Sequence, residues 1–269
     1  MADLQVRVGS GRYPASQIQA PAPNGGGDLL FASDFGATSP YAFTGAWADD
    51  EGTYFTLSQQ LNTGPSGRDF VRSTNIATGT HAQPYAGWKK TGLTAPTQGS
   101  TRYVRVRLRI GSGFDATGNS PETVWSTKWI IHGDQDGPGE DRIIVALSPR
   151  VTLNDCHIRV AKNIGDVPSD GAGDVNLTLG IWNDIQYEVR YSSTSTATDG
   201  WFKLWVNNDT YASPTASSAT NIALPSASHT SLGLGFFHNA TTAAGGSVQL
   251  DYCQMEYDDA FDSSFHANQ

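Results

Sequence analysis

The chain has 269 residues, a length that all-β sandwiches often use as a single domain. Charged residues make up 16% of it, and Glu and Lys occur five times each, while Gly occurs 29 times. This shortage of good helix formers argues against a helical bundle and against an α/β nucleotide-binding fold. The formal net charge of −9 argues against a nucleic-acid partner, which would require a basic surface.

The cysteines and the apolar segments narrow the class further. Cys156 and Cys253 are too few for a disulfide framework, so we expect two buried thiols, with a single bridge as the alternative. No apolar run approaches the roughly 18 residues of a membrane span. The first residues show no signal peptide. We therefore expect the protein in a virion or in the cytoplasm of the producing cell, or outside the cell if a signal was removed.

Residues 1–27 predict an extended N-terminal arm. Pro14, Pro21, Pro23 and the Asn-Gly-Gly-Gly run at 24–27 do not support a packed element. A segment of this kind is disordered by itself and becomes ordered when it lies on a surface. We expect that surface to belong to another protein subunit, although the arm's own domain is an alternative.

Beyond residue 28, period-two alternation marks a series of short strands. The clearest runs from Tyr103 to Ile110, with arginine at every second position. Further strands are predicted at 125–132, 142–147, 156–162, 182–191, 201–207, 232–237 and 247–257. Turn clusters are predicted at 111–113, 133–139, 165–173 and 192–200. Many short strands between turns indicate an antiparallel β-sandwich or barrel.

Two of these strands carry a family resemblance. The stretch from Trp182 to Tyr191, a loop, and the stretch from Asp199 to Asn207 resemble the paired strands of concanavalin A-like jelly rolls, most closely the heparinase and alginate lyase branch. The segments 29–35 and 248–252 are placed as in those domains. The resemblance implies a two-sheet jelly roll over residues 28–260, followed by a C-terminal tail at 261–269. Sandwiches of this kind host lectins, lyases and viral structural proteins alike.

A carbohydrate-binding face is the first functional candidate. Arginines on one strand face would bind the carboxylates or sulfates of an anionic polysaccharide, and tryptophans would stack on sugar rings. If both stripes lie in one sheet, they form a single groove. The alternatives are arginines paired with neighbouring carboxylates, and indoles covered by a loop or by the arm. The candidate residues are Arg105, Arg107, Arg109, Trp201, Lys203 and Trp205.

Lyase chemistry is the second candidate, and it comes from the resemblance. Arg105 would neutralise a uronate carboxylate, and His132 would help to remove the adjacent proton. The family's Tyr-x-Lys strand is missing, however, because its expected place at 232–239 contains neither residue. The sequence therefore favours no catalytic residue.

Calcium is the third candidate, as a structural ion in a protein that requires no cofactor. The resemblance places a site between the first and last strands, at Asp34 and Asp251. Hard oxygen ligands also crowd one Gly/Pro-rich loop. The loop residues are Asp134, Asp136, Glu140 and Asp141.

These features predict a non-enzymatic assembly protein. We expect a virion-associated jelly roll, such as a capsid decoration, head or tail component, with a glycan-binding face. Its partners would be other protein subunits through the arm and an anionic polysaccharide, with no nucleic acid and no membrane span. The alternatives are a polysaccharide lyase that cleaves a uronate-containing glycan by β-elimination, and a stand-alone lectin-like module.

Overall fold

A computed structural model describes most of the sandwich. The described residues are 5–8, 11–14, 31–33, 45–46, 55–60, 63–65, 70–75, 85–90, 92–112, 127–132, 142–147, 155–164, 167–219, 221–225, 229–238 and 249–267. Within these ranges no helix is long and apolar enough to cross a bilayer.

The described chain forms strands β1 to β17, which confirms the predicted all-β class. Their bounds are β1 Gln5–Val8, β2 Gly11–Pro14, β3 Phe31–Ser33, β4 Gly45–Ala46, β5 Phe55–Gln60, β6 Phe70–Asn75, β7 Tyr85–Lys90, β8 Thr101–Ile110, β9 Thr127–His132, β10 Arg142–Leu147, β11 Asp155–Ile164, β12 Val167–Thr178, β13 Trp182–Arg190, β14 Trp201–Val206, β15 Ala216–Ser217, β16 Leu232–His238 and β17 Gln249–Asp258.

Two large antiparallel sheets face each other. One has eight strands, with β15-β14-β13-β8-β17-β6-β5 in order and β3 paired to β17. The other has seven strands in the order β12-β11-β10-β9-β16-β7-β4. The apolar core lies between them and includes Val104, Val106, Leu108, Ile110, Ile143, Val145, Ile158, Val160, Ile185, Tyr187, Val189, Phe202, Leu204, Leu232 and Leu250.

Strand β8 shows how the sequence pattern produces this core. Val104, Val106 and Leu108 are fully buried between the sheets, as the alternation predicts. The arginines between them point to the opposite side of the eight-stranded sheet. Fully burying a side chain of this size contributes roughly 1.5–3 kcal/mol, so a register slip of one residue would be costly.

The turn predicted at 165–173 is wrong, because β12 runs through most of it. Gly171 and Gly173 serve a close strand approach instead. A Cβ atom at Gly171 would collide with the Val160 carbonyl of β11, and one at Gly173 would lie 2.5 Å from the Arg159 side chain. The β11–β12 ladder also contains two register shifts, and such bulges blunt a sheet edge against strand addition.

The two chain ends contain more structure than their composition predicts. Strands β1 and β2 pair as a separate two-stranded sheet within the arm, where no regular element was expected. At the other end, residues 261–267 were predicted as a tail, yet Phe265 is 4% exposed. Cys253 is a buried thiol outside any disulfide, in line with the first of the two cysteine alternatives.

Candidate functional site

The arginine and tryptophan stripes lie on one face of one sheet. Gln186 of β13 is directly opposite Arg105 of β8 on one side and Trp205 of β14 on the other. Directly opposite residues of antiparallel strands share a face. The hypothesis that both stripes belong to the same sheet is therefore confirmed. We call this side, which points away from the core, the outer face.

The centre of the outer face is a network of buried ion pairs. Arg105 contacts Glu256 at 3.0 Å and Asp258 at 3.1 Å. Arg107 contacts Asp184 at 2.5 Å. Both arginine side chains are almost completely buried. These arginines pair with carboxylates of neighbouring strands, which was the alternative to a glycan-facing stripe.

Residues 259–267 cover this network, and we call them the C-terminal strap. The carbonyl oxygens of Ala260 and Phe265 accept hydrogen bonds from Arg105 and Arg107, respectively. Gln186 donates to the carbonyl of Asp262 at 3.1 Å and accepts from its backbone N–H at 3.0 Å. The backbone groups of the strap thus form hydrogen bonds with the polar side chains of the outer face beneath it.

The far end of the strap is anchored by two aspartates. Asp209 accepts hydrogen bonds from the backbone N–H groups of His266 and Ala267 at 2.8 Å. The imidazole Nδ1 of His266 lies 2.8 Å from the second carboxylate oxygen of Asp184. The same carboxylate that neutralises Arg107 therefore also holds the strap.

Aromatic packing closes the face over Trp205. Its indole is fully buried, with the Phe261 ring of the strap 4.8 Å away and the Tyr211 ring stacked at 5.6 Å. Its Nε1–H donates to the carbonyl of Thr210 at 3.0 Å. A glycan would reach Arg105, Arg107 or Trp205 only if the strap moved.

One end of the outer face stays accessible, and we call it the β14 patch: Trp201, Lys203 and Tyr211. Tyr211 is 45% exposed and Trp201 is partly exposed. The Lys203 ammonium lies 4.6 Å from the Tyr211 ring centroid and 5.8 Å from that of Trp201. An aromatic pair and a cation are therefore available to a ligand together.

A buried carboxylate fixes this patch from below. Glu188, which is 1% exposed, accepts a 2.6 Å hydrogen bond from the Trp201 indole and lies 3.5 Å from Lys203. It also accepts from the Tyr103 hydroxyl at 2.8 Å. Burial, followed by the negative charge of Glu188, holds the pKa of Tyr103 far above its ordinary value, so this phenol stays a donor.

The opposite end of the outer face holds a pair of arginines, Arg72 and Arg109, that share Asp251. The Nε–H groups of both donate to its carboxylate at 2.8 Å. Asp251 is fully buried, while the arginine side chains are 30% and 24% exposed. We call this group the arginine pair.

The predicted calcium sites gain no support from this geometry. Asp251 is neutralised by two guanidinium groups, and β3 places Ser33 opposite Met255, four residues along β17. Asp34 and the four acidic loop residues at 134–141 lie outside the described residues. No group of three or more metal-ligating side chains occurs in the ranges that are described. Calcium binding remains a prediction.

The structure does not bring the two lyase candidates together. Arg105 is in β8 of the eight-stranded sheet, whereas His132 ends β9 of the seven-stranded sheet. A single sugar held by Arg105 on the outer face would therefore contact the sheet that does not contain His132.

Sequence reasoning missed Arg72, Trp182, Glu188 and Tyr211. Arg72 follows Phe70 at the two-residue spacing of residues that share a strand face. This alternation is too short to predict a strand from the sequence. Glu188 occupies an alternating polar position of β13, but its role depends on Trp201 of the next strand. Tyr211 lies in a loop, where periodicity gives no information.

Comparisons with known proteins support the fold. No family model matches the chain, and no curated protein matches it. Among solved structures, it is similar to an endo-β-1,4-glucuronan lyase from the fungus Trichoderma reesei, at 13% identity and a TM-score of 0.59, covering 87% of this chain and 97% of that one. It is also similar to the cellulose induced protein Cip1, at 14% identity and a TM-score of 0.52, covering 84% and 96%. The predicted two-sheet jelly roll is confirmed as a fold.

Proposed function

We propose that this chain is a non-enzymatic jelly-roll protein that binds a glycan through the β14 patch and serves as an assembly component, such as a virion-associated subunit. One observation carries the glycan part. At an open end of the sheet, the buried Glu188 holds the Trp201 indole and attracts the Lys203 ammonium, which lies 4.6 Å from the exposed Tyr211 ring.

The chemistry of the patch suits a sugar. Aromatic rings offer flat apolar surface to the C–H face of a pyranose, while Lys203 donates hydrogen bonds to hydroxyl or carboxylate oxygens. Because Glu188 already holds the indole and attracts the ammonium, less rotamer freedom is lost on binding. Preorganisation of this kind strengthens the binding of a glycan, and binding alone involves no bond cleavage.

The non-enzymatic part is supported by the network beneath the strap. At the centre of the outer face, Arg105 and Arg107 are fully engaged with carboxylates and with strap carbonyls. The lyase alternative requires an arginine free to neutralise a uronate, with a base on the same side of the sheet. Arg105 is covered by the strap, and His132 lies in the other sheet.

Substitution of Lys203 and Tyr211 tests the proposal. Binding of a glucuronan hexasaccharide would be measured by calorimetric titration for the wild type, Lys203→Gln and Tyr211→Ala. Losing one aromatic contact or one charge-assisted hydrogen bond should weaken binding by roughly tenfold. Absorbance of unsaturated uronate should stay at the buffer level throughout.

Lys162→Gln provides a matched control, because Lys162 is in β11 of the other sheet and donates to the Ala223 carbonyl. It makes the same change of charge and should bind like the wild type. Equal weakening by Lys162→Gln and Lys203→Gln would assign binding to overall charge and overturn the role of the patch. A rise of absorbance that needs His132 would overturn the non-enzymatic part.

A further inference from the structure

We propose that the arginine pair at the opposite end of the outer face is a second ligand site, which binds an oxyanion carried on a sugar ring. The ligand class is a uronate carboxylate or a sugar sulfate. The inference rests on the proposed function for the sugar part of the ligand. The contact with the oxyanion depends only on Arg72 and Arg109, which Asp251 holds in place.

The geometry fixes both guanidinium groups in place. Asp251 is bound by the Nε and Nη2 atoms of Arg72, at 2.8 and 3.1 Å. It is also bound by Nε and Nη2 of Arg109, at 2.8 and 2.6 Å. All four of these contacts use Nε and Nη2 atoms, and a guanidinium group carries five N–H donors in a planar fork. That fork matches the geometry of a carboxylate or sulfate.

The local charge leaves room for an anion. Two guanidinium groups share one carboxylate, and Asp251 is the one carboxylate that pairs with either arginine among the described residues. The pair thus carries a net positive charge on a chain whose formal net charge is −9. Partial exposure of both arginine side chains lets a ligand reach them, whereas Arg105 and Arg107 are closed off by the strap.

Aromatic rings lie next to both guanidinium groups. The guanidinium carbons of Arg72 and Arg109 lie 5.4 and 5.3 Å from the Phe70 ring centroid. Arg109 also lies 4.8 Å from Trp182, whose ring meets Phe70 edge to face at 5.4 Å. Beside Trp182, Ile181 is 50% exposed. An oxyanion and the apolar face of its sugar ring would find partners here within one site.

A short anionic sugar tests this site separately from the β14 patch. Arg109 and Tyr103 are six positions apart on β8, which is about 20 Å, so a disaccharide on the arginine pair does not reach Lys203. Calorimetric titration would use a glucuronate disaccharide, a sulfated disaccharide from heparin, and cellobiose as the neutral control. The two anionic arms distinguish a carboxylate from a sulfate ligand.

The informative variant is Arg72→Gln. Asp251 keeps Arg109, so the buried carboxylate stays paired and the urea midpoint should remain close to that of the wild type. Affinity for at least one anionic disaccharide should fall by roughly tenfold or more. Arg72→Lys retains the charge but lacks the planar guanidinium group. Its affinity should therefore lie between those of the wild type and Arg72→Gln. Lys162→Gln removes the same charge in the other sheet and should change the affinity by less than about twofold.

The outcomes separate the two proposals. Wild-type protein that binds neither anionic disaccharide, or Arg72→Gln protein that binds them as tightly as the wild type, overturns the arginine-pair site. Equal losses in Arg72→Gln and Lys162→Gln also overturn it, because general electrostatics would then suffice. Each of these results leaves the hexasaccharide experiment on the β14 patch unaffected. Conversely, the arginine pair stands if disaccharide binding depends on Arg72 while Tyr211→Ala has no effect on the hexasaccharide.

Discussion

Removing the carboxylate of Asp184 should destabilise the protein strongly. In the Asp184→Ala variant the guanidinium of Arg107, with a side chain 2% exposed, loses its 2.5 Å partner. Among its described contacts it would retain the Phe265 carbonyl at 3.1 Å and the Phe265 ring at 5.5 Å. A buried charge left in this way costs roughly 3–5 kcal/mol.

The second contact of Asp184 adds little to that figure. His266 is 40% exposed, and a pair in contact with solvent contributes about 1 kcal/mol or less. The expected loss of about 3–5 kcal/mol is a large share of the 5–15 kcal/mol typical of a whole domain. Urea unfolding followed by tryptophan fluorescence would measure it as a lower midpoint.

A double variant separates the unpaired charge from a packing defect. Arg107→Met combined with Asp184→Leu replaces the ion pair with apolar side chains and should recover most of the stability, because no charge is left unpaired. If Asp184→Ala instead costs less than about 1 kcal/mol, Arg107 is solvated. The strap would then not close the centre of the outer face.

Two further predictions concern alkaline pH and the arm. Burial raises the pKa of Tyr257 to about 12 and holds the pKa of Tyr187 and Tyr252 well above the ordinary value of 10.0. Unfolded phenols ionise near 10, so stability should be full below about pH 10 and fall towards pH 12; a urea midpoint that stays constant between pH 10 and pH 12 would contradict this. Deletion of residues 1–27 should leave a folded domain that no longer assembles, as light scattering would show, whereas loss of the fold would place the arm in the core.

The sequence predicted the sheets better than it predicted their surface. Alternation in β8 correctly places Val104 and Val106 in the core and the arginines on the opposite side, because the two-residue period is a local property. Burial of those arginines depends on carboxylates far along the chain, such as Glu256, which is 151 positions from Arg105. No local pattern contains that information.

The strap and the glycines of β12 illustrate the same limit. Residues 261–267 follow the last strand and lack periodicity, so they read as a tail, yet Phe261 and Phe265 pack on the outer face. Gly171 and Gly173 read as a turn because glycine commonly marks one. Their actual role is a close approach between two strands, which depends on β11 as much as on β12.

The most direct test of glycan binding on the outer face is a crystal structure with a glucuronan oligosaccharide. We expect an intact oligosaccharide at the β14 patch, at the arginine pair, or at both, with residues 259–267 still in place over Arg105 and Arg107. An oligosaccharide bound on the seven-stranded sheet near His132, or a cleaved product there, would contradict the proposed function and favour a lyase.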